Sequence, residues 1–528
     1  MQKLMHSADS RADVIVIGSG LGGLVAGALM ARYGRRVVVC ESHSLPGGAA
    51  HAFERRSPSG HTFTFDSGPS FYCGLSEATS ANPISQVLAV LGEKIEAIPY
   101  DPFGYYHFPE GTLPVYGDGE KYRQAVEKFS PGAATQLAKL EARLLQIYAP
   151  LKSIPTLALR ADWQLLPLLL RRYPGALAQM LPTLGDLGKS MGEVMASSVK
   201  NPWLKRLLDL ECFLLSGMTC DETVAPEMAF MFGERAESVI DYPIGGSGAL
   251  VEALVRGLER WGGELRLNAH VDKIITEKKN GKAQVKGVSL KNGTCLSAPV
   301  VISNATVWDT YNHLLEPGDV PEGDRTQALE TPTVDSFMHL YLGIRAEGLE
   351  EVAIHHVVVH DDDAAITTPG NTCMVSIPTV LDPNQAPAGY HTVHAYTLEP
   401  YDEWAQWEKK GSKDEGYEQK KREKAETLFR AVERIIPDVR DRLELEMIGT
   451  PLTHSRFLRR HKGTYGPAIA AKEGRFPGGK TPIKGLYRVG DSTLPGIGVP
   501  AVAASGILCA NALVTLKESA GLLDQLNL

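Results

Sequence analysis

Two short apolar runs near the N-terminus flank a glycine spacing that few backbones can accommodate. Val14-Ile15-Val16-Ile17 is an unbroken β-branched run, which reads as a strand buried on both faces in a parallel sheet. Gly18-Ser19-Gly20-Leu21-Gly22-Gly23 follows at once. Leu24 to Tyr33 then reads as a helix closed by Gly34, and Val37-Val38-Val39-Cys40 as a second strand ending in Glu41. Strand, turn, helix, strand and acid occur in the order of a dinucleotide-binding βαβ unit. Gly18 permits the tight turn, Gly20 lets backbone approach a pyrophosphate, and Gly23 with Gly27 allows the helix to pack closely on the sheet. Leu21, Gly22 and Gly23 open that helix, whose free N–H groups and positive end suit phosphate. Glu41, 18 residues beyond Gly23, can accept both ribose hydroxyls of an adenosine and would repel a 2′-phosphate. Past it come Ser42 and the Pro46-Gly47-Gly48 turn, which either brings more backbone to the pyrophosphate or is an ordinary surface turn.

The other chain end narrows the choice of dinucleotide. Gly485-Leu486-Tyr487-Arg488-Val489-Gly490-Asp491 reads as a strand ending in Gly-Asp, Pro495 to Pro500 as a glycine-rich turn, and Ala501 to Val514 as a small-residue helix. Asp491, just past the strand, can bind the ribityl or pyrophosphate part of FAD. The helix start at Gly498, Val499 and Ala501 can point its positive end at the pyrimidine edge of the flavin ring. Alone, this is equally a buried βα unit with a capping Asp. Together with the N-terminal unit it implies one FAD site built from both ends.

A chain of 528 residues implies two or three lobes. Acids outnumber bases, 62 to 54, which argues against nucleic acid as the main partner. Seven Cys with no C-x-x-C pair read as reduced thiols. Met1 to Ala12 is polar and too short for a signal peptide, and no run nears the ~18 apolar residues of a membrane span. The expectation is a soluble or membrane-peripheral protein, cytoplasmic in a prokaryote or a mature plastid form.

Phe65-Asp66-Ser67-Gly68-Pro69-Ser70, Glu211-Cys212-Phe213, Tyr242-Pro243-Ile244-Gly245-Gly246, Ile302-Ser303-Asn304-Ala305-Thr306-Val307-Trp308-Asp309-Thr310, Ser376-Ile377-Pro378-Thr379, Lys462-Gly463-Thr464-Tyr465-Gly466-Pro467 and Gly490-Asp491 run the length of the chain. These strings resemble the carotenoid desaturase and isomerase group of flavoproteins, most closely its carotenoid cis–trans isomerases of the prolycopene type. The resemblance implies FAD as cofactor, a long isoprenoid polyene as substrate, and a redox-neutral isomerisation that nonetheless needs reduced FAD. It makes Asp66, Ser67 and Gly68 a third FAD segment, although a plain β-turn would read the same. It lets the backbone of Val271 touch adenine, and it offers Glu211 and Tyr242 as proton donors or structural residues alike. The sequence departs from the family at Pro69-Ser70-Phe71-Tyr72-Cys73 and at Ser492-Thr493-Leu494-Pro495, near the expected flavin face.

Between the ends, Ser76 to about Ala236 reads as helical with few strand signals. Within it, Trp163 to Tyr173 suits either a helix lying in a membrane interface or a buried core helix. Val271 to Ser297 reads as strands turning at Asn280-Gly281 and Asn292-Gly293. Ser336 to Tyr401 is strand-rich and suits the floor of a substrate cavity. His355-His356 and His360-Asp361-Asp362-Asp363 read as a strand and its exposed turn, with no metal centre, and Glu408 to Glu426 as a solvated helix face.

The expected architecture is α/β: a discontinuous Rossmann-like FAD-binding domain (1–75, 237–310 and 450–528) and a mixed-sheet substrate domain with a helical cap (76–236 and 311–449). The expected activity is FAD-dependent cis–trans isomerisation of a poly-cis carotene such as prolycopene. A carotenoid desaturase, saturase or hydratase is the alternative, and a flavin-binding carrier without turnover a third. The partners implied are the hydrophobic polyene and a membrane surface.

Overall fold

The computed structural model describes residues 11–68, 71–77, 80–409, 414–474 and 476–528. Pro69 and Ser70 of one family string, and 410–413 of the charge-rich run, lie outside them, as do residues 1–10.

The N-terminal unit forms as its residues require. Strand β1 (Val14–Ile17) leads into helix α1 (Leu21–Arg32), which returns to strand β2 (Val37–Cys40). The two strands pair in parallel, Val14 opposite Val37 and Ile17 opposite Cys40. The full sheet has five strands in the order Leu486–Arg488, Val300–Ser303, β1, β2, Glu264–Arg266, every pair parallel. Three distant chain segments thus supply one sheet. Leu24, Val25 and Leu29 of α1 are fully buried, each stabilising the fold by roughly 1.5–3 kcal/mol. Gly27 brings α1 close to the sheet: a Cβ there would stand 3.1 Å from Val39 and 3.5 Å from Val16. The C-terminal helix Val499–Ala512 packs on α1, where a Cβ on Gly506 would come within 2.7 Å of the Gly22 carbonyl oxygen. Val271–Lys279, Lys282–Leu290 and Cys295–Ser297 form a small antiparallel sheet, turning at Asn280 (φ 53°) and Gly281 (φ 77°).

The second large sheet has seven strands: Leu443–Gly449, Ser336–Arg345, Tyr390–Glu399, Thr372–Ser376, His355–Val359, Gly104–Phe108 and Gly111–Val115. The reading of 76–236 as helical with few strands needs correction, because Ala97–Pro99, Gly104–Phe108 and Gly111–Val115 are strands. Gly104–Phe108 pairs with His355–Val359 and with Gly111–Val115, Ala97–Pro99 pairs with Asp241–Pro243, and this pairing outweighs the local helical bias. The central strands are buried on both faces. One face packs on helix Glu415–Glu433 through Met338, Leu340, Leu428 and Val432, and the other turns toward helices around Leu137, Leu144 and Leu207. Ile84 to Leu91 and Ile154 to Ala176, within the stretch assigned to the substrate region, instead share the core under the parallel sheet with Leu24 and Leu250. No helix among the described residues is long and apolar enough to cross a membrane.

Candidate functional site

One cavity of about 1450 Å³ opens at the C-terminal ends of the parallel strands, where ligands of open α/β sheets bind. That exceeds the ~300–1,000 Å³ of a single small-molecule pocket and leaves room for two occupants. Gly18, Gly20, Leu21, Glu41, Ser42, Gly47, Gly48, Ser67, Gly68, Val271, Gly490, Asp491, Gly498 and Val499 all line it.

The cradle depends on missing side chains. Gly18 turns out of β1 at φ +88°, a conformation L side chains rarely adopt. A Cβ on Gly20 would meet Asn304 Nδ2 at 2.5 Å, and one on Gly48 would stand 3.1 Å from the Gly20 Cα. Backbone is therefore bare where a pyrophosphate needs close approach. Glu41 is buried at the cavity wall, and its carboxylate is oriented by four donors. Ser19 N–H (2.8 Å) and Oγ (2.6 Å) donate to Oε2; His43 N–H (2.8 Å) and Ser42 Oγ (3.3 Å) donate to Oε1. This fixes an acceptor where the adenosine ribose is expected. Asp491 forms an ion pair with Arg460, whose guanidinium also donates to the carbonyls of Thr464 (2.8 Å) and Tyr465 (2.9 Å). That arginine ties the Lys-Gly-Thr-Tyr-Gly-Pro string to the Gly-Asp motif.

Gly22, Gly23, Asp66 and Ala501 do not line the cavity. Gly22 and Gly23 serve packing: a Cβ on Gly23 would lie 2.3 Å from the Gly18 carbonyl oxygen. Ala501 lies in the first turn of helix Val499–Ala512. Asp66 turns the other way and holds the start of helix Gly246–Arg260, accepting from Ser247 N–H (2.9 Å), Ser247 Oγ (2.8 Å) and Tyr242 Oη (2.9 Å). Burial raises its pKa to about 6 against those stabilising hydrogen bonds. The same bond engages Tyr242, which also accepts from Gln385 (3.0 Å) and is absent from the cavity wall. Glu211 is likewise enclosed, salt-bridged to Arg235 (2.8 Å) and accepting from Tyr122 (3.0 Å). Neither side chain offered as a proton donor faces the cavity, because each is consumed by a buried polar network.

The same cavity extends over the seven-stranded sheet, where Phe71, Phe213, Phe337, Met374, Tyr396 and Leu398 form its wall. On that sheet His339 lies opposite Tyr396, and Tyr341 opposite His394. Their rings overlap: Tyr341 and His394 stack at 4.3 Å and His394 and Tyr396 at 4.9 Å. His339 Nδ1 and His394 Nε2 are 3.0 Å apart and share a hydrogen bond. Burial depresses His394 to about 3, and depresses His454, on the cavity wall, to about 4. The floor is therefore neutral and π-rich at pH 7. Strands between Ser336 and Tyr401, strand-rich in sequence, line the cavity, whereas nothing local in the sequence marks Asn304, Arg460 or the stacked histidines. Only the alternation of Phe337, His339 and Tyr341 marks a shared face.

The glycine cradle, the oriented Glu41 and the paired Asp491 fit FAD. Three comparisons agree. The family model "Flavin containing amine oxidoreductase" matches residues 21–514. The chain is 33% identical over 522 residues to the chloroplastic prolycopene isomerase 1 of an Oncidium hybrid cultivar, covering 97% of this chain and 86% of that one. It is 28% identical to the neurosporene-forming phytoene desaturase of Rhodobacter capsulatus, covering 96% and 95%. Among solved structures, an oxidoreductase from Methanosarcina mazei superposes with a TM-score of 0.61 at 20% identity, covering 93% of this chain and 98% of that one, a likeness of fold. A match that runs from the first residue of α1 through the Gly490-Asp491 motif and the C-terminal glycine turn makes this chain a member of the flavin containing amine oxidoreductase family, an enzyme whose cofactor is FAD.

Proposed function

We propose that the chain is an FAD-dependent carotenoid cis–trans isomerase that acts on a poly-cis carotene such as prolycopene, without net redox change. The observation that carries this reading is one continuous cavity, walled by the dinucleotide turns and by an apolar, aromatic sheet face, in a chain similar along its length to prolycopene isomerases. Gly20, Gly47, Gly48, Glu41 and Asp491 would hold the FAD, which supplies the redox-active ring that a hydrocarbon without polar handles requires. Phe337, Met374, Tyr396 and Leu398 bind the polyene by apolar burial and flat π contact, hold it in one orientation and exclude water. The neutral histidine–tyrosine floor puts no fixed charge beneath the chain.

Anaerobic incubation of dithionite-reduced holoprotein with cis-carotenes in liposomes tests the reading. The expected product has a shifted retention time and unchanged mass. A product altered by hydrogen or water would instead establish a desaturase, saturase or hydratase, the reading that similarity to a phytoene desaturase keeps open.

The substrate class also supports a membrane contact. Helix Leu165–Arg172 buries Leu168 and Leu169, while Leu166 (61% exposed) and Leu170 (58%) face outward beside Trp163 (82%). Leu181 and Leu184, a few residues on, are exposed as well, and Arg171 and Arg172 end the helix. Such a face suits the boundary of a bilayer. Replacing Leu166 and Leu170 with Glu is expected to abolish co-sedimentation with lipid vesicles while leaving flavin content unchanged.

A further inference from the structure

Asn304 stands directly after strand Val300–Ser303, and its N–H donates to the Ile17 carbonyl (2.8 Å), so the residue is anchored beside β1 where the chain turns into α1. Its side chain is wedged between the two glycine motifs. Added Cβ atoms would meet it from four sides: Gly20 at 2.5 Å (Nδ2), Gly22 at 3.0 Å (Oδ1), Gly23 at 3.1 Å (Cβ) and Gly490 at 2.8 Å (Oδ1). Asn304 lines the cavity, yet among the described residues its amide makes no hydrogen bond. The residue is half-buried, so the unused donors of its amide are left to whatever occupies the cavity.

We infer that Asn304 is a cofactor-positioning residue that donates its side-chain N–H to the pyrophosphate of the dinucleotide. The NH2 end lies against Gly20, the glycine whose bare backbone opens the phosphate seat, and the carbonyl end lies against Gly490. A pyrophosphate offers only acceptors at neutral pH, so the seat requires donors. The backbone N–H groups at the start of α1 supply some, and Asn304 adds one from the opposite chain segment. The residue thereby couples the N-terminal and C-terminal halves of the site through the ligand.

The isosteric exchange Asn304→Asp separates donation from spacing, because it keeps the shape and replaces a donor with a negative charge facing phosphate. Dissociation constants for FAD and for riboflavin, which lacks phosphate, are read by flavin fluorescence on protein stripped of cofactor. Asn304→Asp is expected to weaken FAD by about 100-fold or more and Asn304→Ala by about tenfold, with riboflavin unchanged in both. Equal losses in the two variants, or parallel losses for FAD and riboflavin, would overturn the assignment and leave a spacer. Should Asn304→Asp not fold, the FAD-to-riboflavin ratio of Asn304→Ala decides alone: an unchanged ratio overturns it. Failure of the wild type to bind FAD would strike at the cofactor itself, a separate outcome.

Discussion

The two halves of the cavity are built by opposite means. The cofactor side is backbone: glycine turns, helix starts and one oriented carboxylate, nearly all within a few residues of a strand end. The sheet side, where the polyene is proposed to bind, is side chain: rings, a leucine and one thioether projecting from strands whose neighbours are far apart in sequence, such as His339 against Tyr396. Phosphates demand donors at fixed positions, which backbone supplies cheaply. A flexible hydrocarbon demands shape, which only assembled side chains provide. The electrostatics differ likewise. The cofactor half keeps charges and orients them, as in Glu41 and the Arg460–Asp491 pair, whereas the substrate half keeps its titratable rings neutral by burial.

The sharpest break of this comparison is within one turn. Gly20→Val should fill the phosphate seat and lower FAD affinity on the order of 100-fold, about 3 kcal/mol, because its Cβ takes the space of the ligand and displaces the Asn304 amide that it would meet at 2.5 Å. Gly23→Ala, three residues on, should do the reverse: its Cβ meets backbone at 2.3 Å, so stability falls by about 1–3 kcal/mol in denaturant titrations. If both variants lose flavin and stability in proportion, the division of labour among these glycines is wrong. On the other side, Leu398→Gln places an amide on the apolar wall. Polyene binding, read by quenching of protein fluorescence, should drop by about 1–3 kcal/mol with flavin content intact. Loss of flavin in that variant would show that the halves are not separable.

Glu41→Ala should weaken FAD by about tenfold, through the ribose contact and through release of Ser19; isothermal titration with FAD checks it.

The pH dependence of stability carries opposite signs in the buried rings of the sheet and in the buried Asp66. His394 has a native pKa near 3 and His454 near 4, both below the ~6.5 of an unfolded chain. As pH falls from 6.5 to 4 the unfolded state takes up protons that the native state refuses. Stability therefore falls, by up to about 1.4 kcal/mol per pH unit per group. Asp66 opposes this. Its native pKa near 6 lies above its unfolded value of 3.8, so its contribution is fully present below 3.8 and lost as pH rises through 6. Unfolding midpoints against pH should become shallower on the acid side in His394→Phe and steeper in Asp66→Asn. Parallel curves for both variants would refute the assignment of these protons.

Legibility follows the same divide. Gly18, Gly20, Glu41, Gly47 and Asp491, which line the cavity, were readable as candidates because a strand end, a missing Cβ and a charge act within a short window. Asp66 was readable as a turn acid but not as the anchor of helix Gly246–Arg260, because its partner Ser247 lies 181 residues away. Glu211 and Tyr242 carry chemistry by residue type, yet Arg235, Tyr122, Asp66 and Gln385 enclose them, which no local pattern announces.

The sequence by itself determined the βαβ unit, its glycine turn, the acid that closes its second strand and the flavin class, since backbone sterics and helix-end charge act over a handful of residues. Tertiary structure alone decided which carboxylates face the cavity, that Asn304 lies between the two glycine motifs, and that distant strands lay an aromatic floor along it. Those outcomes depend on burial and on partners that only chain folding brings together.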